Sequence, residues 1–405
     1  MTRTVRSLSG LLLFAAVLTS PHTVVGDDAR FQAVEYVRQT IYRSPQSPGY
    51  TCWVGAWSMP DGSLMTCFTQ ATGPIEGRPT GPADALRRLN WPPEGHPGYD
   101  MTGLDLRNVH LRSTDLGKTW KQVSADPFRT CMNGITGMAE VALADGTVIR
   151  AVEGFQLPYN PELPQTGFLQ RSMDGTQTWG EPELTLDPQQ FTTIPKRLRL
   201  LKDGRLLLLG GFAQVPANSL TRHEYTKILQ PLIQVSADNG MTWSQRIEVV
   251  HAEHRSAWGG EEFDAAELPN GDLLCVFRRL NPDRTHPQAE VRWQGVLRKT
   301  GESWITAEAG PAPFPHSGHP ELLAAREGVV LHLATSGIDV TSDAGRTWHR
   351  LELPGTAYYP RSVQTADGTI CIFSHAGGDD AYGKVDQSIV MDTFRLVARE
   401  DQNGN

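Results

Sequence analysis

The chain has 405 residues, a formal net charge of −8, and 39 glycines alongside 28 prolines. Neither sign of charge gathers into long runs, which excludes an electrostatic grip on nucleic acid or anionic lipid. So much glycine and proline, with little helix-period patterning, favours a turn-rich all-β protein over a helical one.

At the start of the chain, Arg3 and Arg6 precede an apolar run from Leu11 to Leu18, and small residues lead to Gly26. A basic start, a short apolar run and a small-residue exit predict a signal peptide over residues 1–26. That run is too short to cross a bilayer, and no later stretch reaches the ~18–20 apolar residues a spanning helix needs. The mature chain, 27–405, is therefore expected to be secreted or periplasmic, with no membrane span, and to work as a monomer. Five cysteines, Cys52, Cys67, Cys131, Cys275 and Cys371, form no C-x-x-C pair, so zinc is not expected and no cofactor is implied.

Next comes a strand-like run, Phe31–Ile41, with no obvious partner nearby. It is followed by the first of six similar hairpins: MPDGSLMTCF at 59–68, LADGTVIRAV at 143–152, LKDGRLLLLG at 201–210, LPNGDLLCVF at 268–277, AREGVVLHLA at 325–334 and TADGTICIFS at 365–374. Asp-Gly or Asn-Gly between β-rich runs predicts a tight turn, of type I′ if both central residues take positive φ. Glu327-Gly328 is the weakest of the six.

An octapeptide interleaves with the hairpins: STDLGKTW at 113–120, SMDGTQTW at 172–179, SADNGMTW at 236–243 and TSDAGRTW at 341–348, with a degenerate LRKTGESW at 297–304. On a turn between third and fourth strands, its Asp would accept turn amides, its Gly would supply positive φ and its Trp would wedge the turn against the sheet. Four copies around a ring cannot share one active site, so the boxes read as scaffold. The unit is a four-stranded meander, and six of them predict a six-bladed β-propeller. The sixth unit has a third strand at Ser388–Leu396 but no box, so Phe31–Ile41 is expected to supply its fourth strand and close the ring.

The octapeptide is the motif called the Asp box. With six hairpins it resembles the sialidase (neuraminidase) superfamily, over nearly the whole mature chain. The resemblance implies chemistry at the start of each blade's inner strand. In EFDAAELPNGDLLCVFR it implies Glu262 as general base and Arg278 as a substrate-carboxylate ligand. In YPRSVQTADG it implies Tyr359 as nucleophile, with Tyr358 as the neighbouring fallback. A sialoside carries a carboxylate at its anomeric carbon, so a neutral phenol activated by a glutamate avoids the like-charge repulsion a carboxylate nucleophile would meet. The acid/base aspartate falls in GHPGYDMTGLDLRNVHLRSTD, where Asp100 fits the offset and Asp105 is the second choice. Trp91, in the Gly/Pro-rich stretch before it, is a candidate sugar-stacking wall.

The sequence departs from the family's pattern at the arginines. Cys52 stands where the first would be, and HSGHPELLAAREG supplies His316 and His319 but no arginine. Arg43 and Arg361 are the nearest substitutes. In PKRLRLL, Arg197 and Arg199 alternate, so one could reach the axis. The run Glu261-Glu262-Phe263-Asp264 could instead be a solvated rim. His375, in SHAGGDDAYG, is expected near the end opposite the inner-strand start. The expected function is an exo-acting, retaining glycoside hydrolase that removes terminal sialic acid or a related acidic sugar from glycans. The rivals are a non-catalytic glycan- or protein-binding propeller and an enzyme acting on another glycan.

Overall fold

The computed structural model describes residues 30–89, 100–127, 140–153, 166–217, 219, 228–244, 246–247, 262–278, 291–315, 319–378 and 382–399. The predicted leader, Trp91, Cys131 and His316 lie outside these residues.

Strand β1 (Phe31–Arg43) opens the fold, followed by a first sheet of β2 (Tyr50–Ser58), β3 (Leu64–Thr72), β4 (Asp105–Ser113) and β5 (Lys121–Pro127), with helix α1 (Ala83–Leu89) between β3 and β4. The second sheet is β6 (Glu140–Ala142), β7 (Val148–Val152) and β8 (Phe168–Ser172), and the third is β9 (Thr192–Leu200), β10 (Leu206–Ala213) and β11 (Gln230–Ser236). Then come β12 (Phe263–Glu267), β13 (Leu273–Phe277), β14 (Val291–Thr300) and β15 (Ser303–Pro315); β16 (Glu321–Ala324), β17 (Val330–Ala334), β18 (Gly337–Thr341) and β19 (His349–Arg350); and β20 (Tyr358–Gln364), β21 (Thr369–Ala376) and β22 (Ser388–Ala398). All pairings are antiparallel, and the six small sheets are the blades of a six-bladed propeller. The first strands of neighbouring blades approach one another: β2 with β6, β6 with β9, β12 with β16, β16 with β20, and β20 with β2. They line the axis.

Ring closure follows the strand count. β1 pairs antiparallel with β22, so the first strand of the fold becomes the outer strand of the last blade. Apolar side chains fill the gaps between blades. Leu207, Leu209 and Ile233 of blade three pack on Phe263, Leu273 and Phe277 of blade four, for example.

Two local expectations needed correction. The six hairpin turns are not type I′, because only the glycine of each takes positive φ, from 80° at Gly328 to 89° at Gly368. In blade one Gly62 N–H donates to Met59 O at 2.9 Å and Met59 N–H to Ser63 O at 2.8 Å, the bonding of a type I turn closed by a glycine bulge. The same pair of bonds recurs at all six turns. The preceding Asp or Asn then has ordinary φ, and its side chain accepts the amide two residues on, as Asp61 does from Ser63 at 3.0 Å. Among the described residues of blades two and three the fourth strand is limited to isolated backbone bonds, Leu169 with Glu183, Ser244 to Val235 and Ile247 to Ile233.

In the octapeptides, the Asp115 carboxylate accepts Thr119 N–H at 2.9 Å, Thr119 Oγ1–H at 2.6 Å and Ser113 Oγ–H at 2.8 Å. Gly117 sits at φ 85°, and Trp120 Nε1–H closes onto Gly117 O at 3.0 Å. Asp174, Asp238 and Asp343 repeat the pattern. The degenerate copy has lost the Ser and Asp. There the chain turns tightly at Gly301-Glu302, with Thr300 paired to Ser303, and Trp304 Nε1–H reaches Gly271 O at 2.8 Å.

Candidate active site

Within an otherwise apolar strand, charged residues survive burial only when they are paired, and the inner strands carry several. In β9 the pairing slips by one residue between Arg197↔Leu209 and Pro195↔Gly210. Gly210 permits this bulge: a Cβ there would stand 2.1 Å from Ile194 O. The bulge falls at consecutive Lys196 and Arg197, both buried like the rest of residues 192–198. Lys196 forms an ion pair with Glu153, at the end of β7.

Farther along β9, Arg197 Nη2 donates to Glu321 Oε2 of blade five at 2.5 Å, with its Nε 3.6 Å from Asp264 of blade four. Arg199 reaches the same centre, donating to the Asp264 carboxylate and, at 2.5 Å, to Leu322 O. Both arginines of PKRLRLL therefore face acidic partners. Asp264 is no part of a solvated rim: it is fully buried and also takes Leu322 N–H at 2.8 Å. Burial pushes its carboxyl up, but Arg199 and Arg197 outweigh that and hold it below the usual range. Arg361, from β20, is also fully buried, with Nη1 2.6 Å from Pro360 O and 3.5 Å from Glu321 Oε2. Burial, then the nearby Arg197, bring its guanidinium down to about 10.

Glu262 and Arg278 are brought together. They form an ion pair, reinforced by Arg278 N–H donating to Glu262 O at 2.9 Å. Burial raises the Glu262 carboxyl, but Arg278, Lys196 and Arg292 overcome it and keep it below its ordinary value. Arg292, wholly buried on β14, is lowered to about 9 by burial and by Arg278. His319 is buried with Nδ1 2.7 Å from Pro320 O; burial and the nearby Arg361 keep it neutral.

Tyr359 lies on β20 at φ 50°, beside a bulge: Tyr358 pairs with His375 and Arg361 with Phe373, leaving one extra residue on β20. Its ring lies 5.9 Å from the His375 ring, and it packs on a cluster holding Trp53, Tyr50 and Cys52. Tyr358 is 39% exposed and stacks on the same imidazole at 5.8 Å. The pairing with Tyr358 corrects the expectation for His375: antiparallel β21 returns it to the same end as the inner-strand start. His375 is buried and accepts Trp53 N–H on Nδ1 at 3.3 Å, and burial lowers it to about 3.

Asp100 lies at the foot of the blade-one loop with both oxygens occupied, one by Gly81 N–H at 2.7 Å and the other by Thr102 N–H and Oγ1–H at 3.0 and 2.6 Å. Asp105 is exposed and pairs with Arg107 at 2.8 Å. Cys52 is buried in blade one. Lys196, Glu153, Glu321 and Arg292 were not picked out as axial residues from the sequence. The signal available was a charged residue set within an apolar strand, as in HPELL and PKRLRLL.

No family model and no curated protein matches the chain. Solved structures do. A protein of unknown function from Dyadobacter fermentans matches with a TM-score of 0.58 at 16% identity, over 92% of this chain and all of that one. An α-L-arabinofuranosidase from Fusarium graminearum in complex with arabinobiose matches at 0.55 and 14%, over 89% and 98%. A sialidase from Streptococcus pneumoniae matches at 0.52 and 11%, over 89% and 70%. The chain shares its six-bladed propeller fold with these structures. In this chain the inner strands bring Lys196, Arg197, Arg199 and Arg361, joined around Glu262 by Arg278 at the end of β13 and Arg292 on β14, against the carboxylates of Glu153, Glu262, Asp264 and Glu321, a surplus of cations among the described residues.

Proposed function

We propose that the protein is a secreted, exo-acting, retaining glycoside hydrolase that cleaves a terminal acidic sugar from glycans at the axial end where the inner strands begin. The observation that carries this reading is the charged axis. An apolar plug would suit a scaffold, whereas Arg278, Arg292 and Lys196 clustered on Glu262 provide a fixed positive field for an anionic ring substituent. In this reading Tyr359 attacks the anomeric carbon, Glu262 takes the phenol proton, and Arg278 turns from Glu262 to the substrate's carboxylate with Arg361 behind it. A phenol titrates near ~10 when free, so an ionised neighbour is needed to activate it. Proton donation to the leaving group falls to the foot of the blade-one loop, where the exposed Asp105 carboxyl would have to leave Arg107 and take up a proton before giving it to the leaving oxygen, while both oxygens of Asp100 accept bonds within the loop.

The test is release of fluorophore from a 4-methylumbelliferyl sialoside by wild type, Tyr359→Phe and Glu262→Gln. Turnover lost in both variants with the fold intact supports the assignment; full activity in Tyr359→Phe removes it. Binding of sialoside with no turnover of any glycoside would favour the binding-propeller alternative.

A second reading has its own observation. Glu153 and Glu262 both lie beside Lys196, and two carboxylates are the commoner equipment for retention or inversion. It predicts turnover of a neutral α-L-arabinofuranoside, abolished by Glu153→Gln and indifferent to Tyr359→Phe.

A further inference from the structure

Glu321 heads the inner strand of blade five and is fully buried. Its Oε1 accepts two bonds from one residue of the neighbouring blade, Ser362 N–H at 2.8 Å and Ser362 Oγ–H at 2.6 Å. Its Oε2 takes Arg197 Nη2 at 2.5 Å and lies 3.5 Å from Arg361 Nη1. Arg361 in turn donates to Pro360 O at 2.6 Å. A single carboxylate thus holds three consecutive residues, Pro360 to Ser362, directly or through one guanidinium, and ties them to blade three.

Immediately upstream is the β20 bulge, where Tyr359 has φ 50°. A bulky side chain does not hold such a conformation by itself, so it persists only where the surroundings impose it. Pro360 has no N–H to offer the ladder, so the sheet bonding is interrupted within the bulge itself. The neighbouring fixed points are Tyr358, paired to His375, and the Pro360–Ser362 segment that Glu321 holds.

We propose that Glu321 is a positioning residue which, through Ser362 and Arg361, fixes the β20 bulge and so sets where the phenol of Tyr359 stands relative to the axis. The consequence for chemistry rests on the reading of Tyr359 as nucleophile; the consequence for geometry does not. Misplacing a reacting atom by about 1 Å lowers turnover roughly a hundredfold while binding is spared.

The test uses the full chain with Glu321→Gln, which keeps shape and an acceptor but removes the charge facing Arg197 and Arg361, and Ser362→Ala, which removes one bond and is the milder change. Two quantities are read. The first is the rate of tetranitromethane nitration at Tyr359, resolved by peptide mass mapping from the other eight of the nine tyrosines. The second is the separation of kcat from KM on whichever glycoside the wild type turns over. The expected result is a several-fold altered nitration rate confined to Tyr358 and Tyr359, with kcat down about a hundredfold and KM within about twofold. Unchanged nitration of Tyr359 in folded Glu321→Gln or, if that variant does not fold, in Ser362→Ala overturns the proposal. Altered nitration alongside a fully active Tyr359→Phe would retain Glu321 as the setter of the bulge and discard the nucleophile.

Discussion

Arg38 grips Asp392 across the seam where the propeller closes, donating Nε to Oδ1 at 2.6 Å and Nη2 to Oδ2 at 2.9 Å. Asp392 is buried on β22, and Tyr36 adds its hydroxyl to Oδ1 at 2.9 Å. Arg38 also reaches Gly355 O at 2.8 Å, on the linker from blade five, so one side chain ties the closing strand to two blades.

Arg38→Ala is therefore expected to destabilise the fold by about 1–3 kcal/mol, because it leaves a buried carboxylate with one hydroxyl as donor. The figure lies below that for a fully buried pair because Arg38 is itself partly exposed. Urea unfolding checks it, and an Asp392→Asn/Arg38→Ala pair should lose less than the sum of the singles.

Gly210 links the fold to the site. Gly210→Ala should cost more than ~2 kcal/mol, because the Cβ has only the Ile194 carbonyl and Pro195 to meet, both backbone at close range. If the β9 bulge shifts to relieve the clash, Lys196 and Arg197 shift with it, so the variant should lose activity even at temperatures where it stays folded. A variant that is destabilised yet fully active would mean that the bulge and the site are independent.

The contrast between what was legible and what was not follows the range of the interactions. The Asp-Gly turns and octapeptides are written within a few residues, so blade count and ring closure could be read directly, down to β22 starting at Ser388. The type of the turns could not, because Asp61-Gly62 allows type I′ as well as a type I turn with a glycine bulge, and the choice depends on strand twist. The axial network was hidden for a different reason. Arg197 and Glu321 are 124 positions apart, and Arg199 and Asp264 are 65 apart, so neither residue advertises its partner locally. Glu262, Arg278 and Tyr359 came from the family resemblance, and Arg361 only as a nearby substitute for a missing arginine; Lys196 and Glu153 had no motif to point to them.

Lys196 and Glu153 permit a sharper energetic test. Lys196→Met alone leaves the Glu153 carboxylate buried beside β9 and should destabilise by about 3–5 kcal/mol. The double change Lys196→Met/Glu153→Leu removes both charges and should recover most of that. Glu262 should respond in opposite fashion: without the Lys196 charge its carboxyl rises towards the ordinary range, so the acid limb of any activity governed by Glu262 should move to higher pH in both variants.

Stability should fall with pH in two stages whose signs follow from the buried groups. His110 and His332 are fully buried and lowered to about 4, and His375 to about 3, in each case chiefly by burial. Because the native state refuses protons that the unfolded chain accepts near ~6.5, the stability these groups confer is complete above that pH and drains away as pH falls towards 4, at about 1.4 kcal/mol per pH unit for each histidine. The octapeptide aspartates act later. Asp115, Asp174 and Asp238 are lowered to about 2, first by the hydroxyl of Thr119, Thr178 and Thr242 respectively. Their contribution is present above the unfolded value of ~3.9 and is lost as pH drops through 2. Urea midpoints between pH 7 and 3 should therefore begin to decline near pH 6.5, well before the carboxylates titrate. His332→Phe, which keeps a ring against Phe314 at the 3.9 Å stack, should reduce the upper slope by one proton and leave the lower stage unchanged. A profile that is flat from pH 7 to 4.5 would show that these imidazoles are not buried neutral.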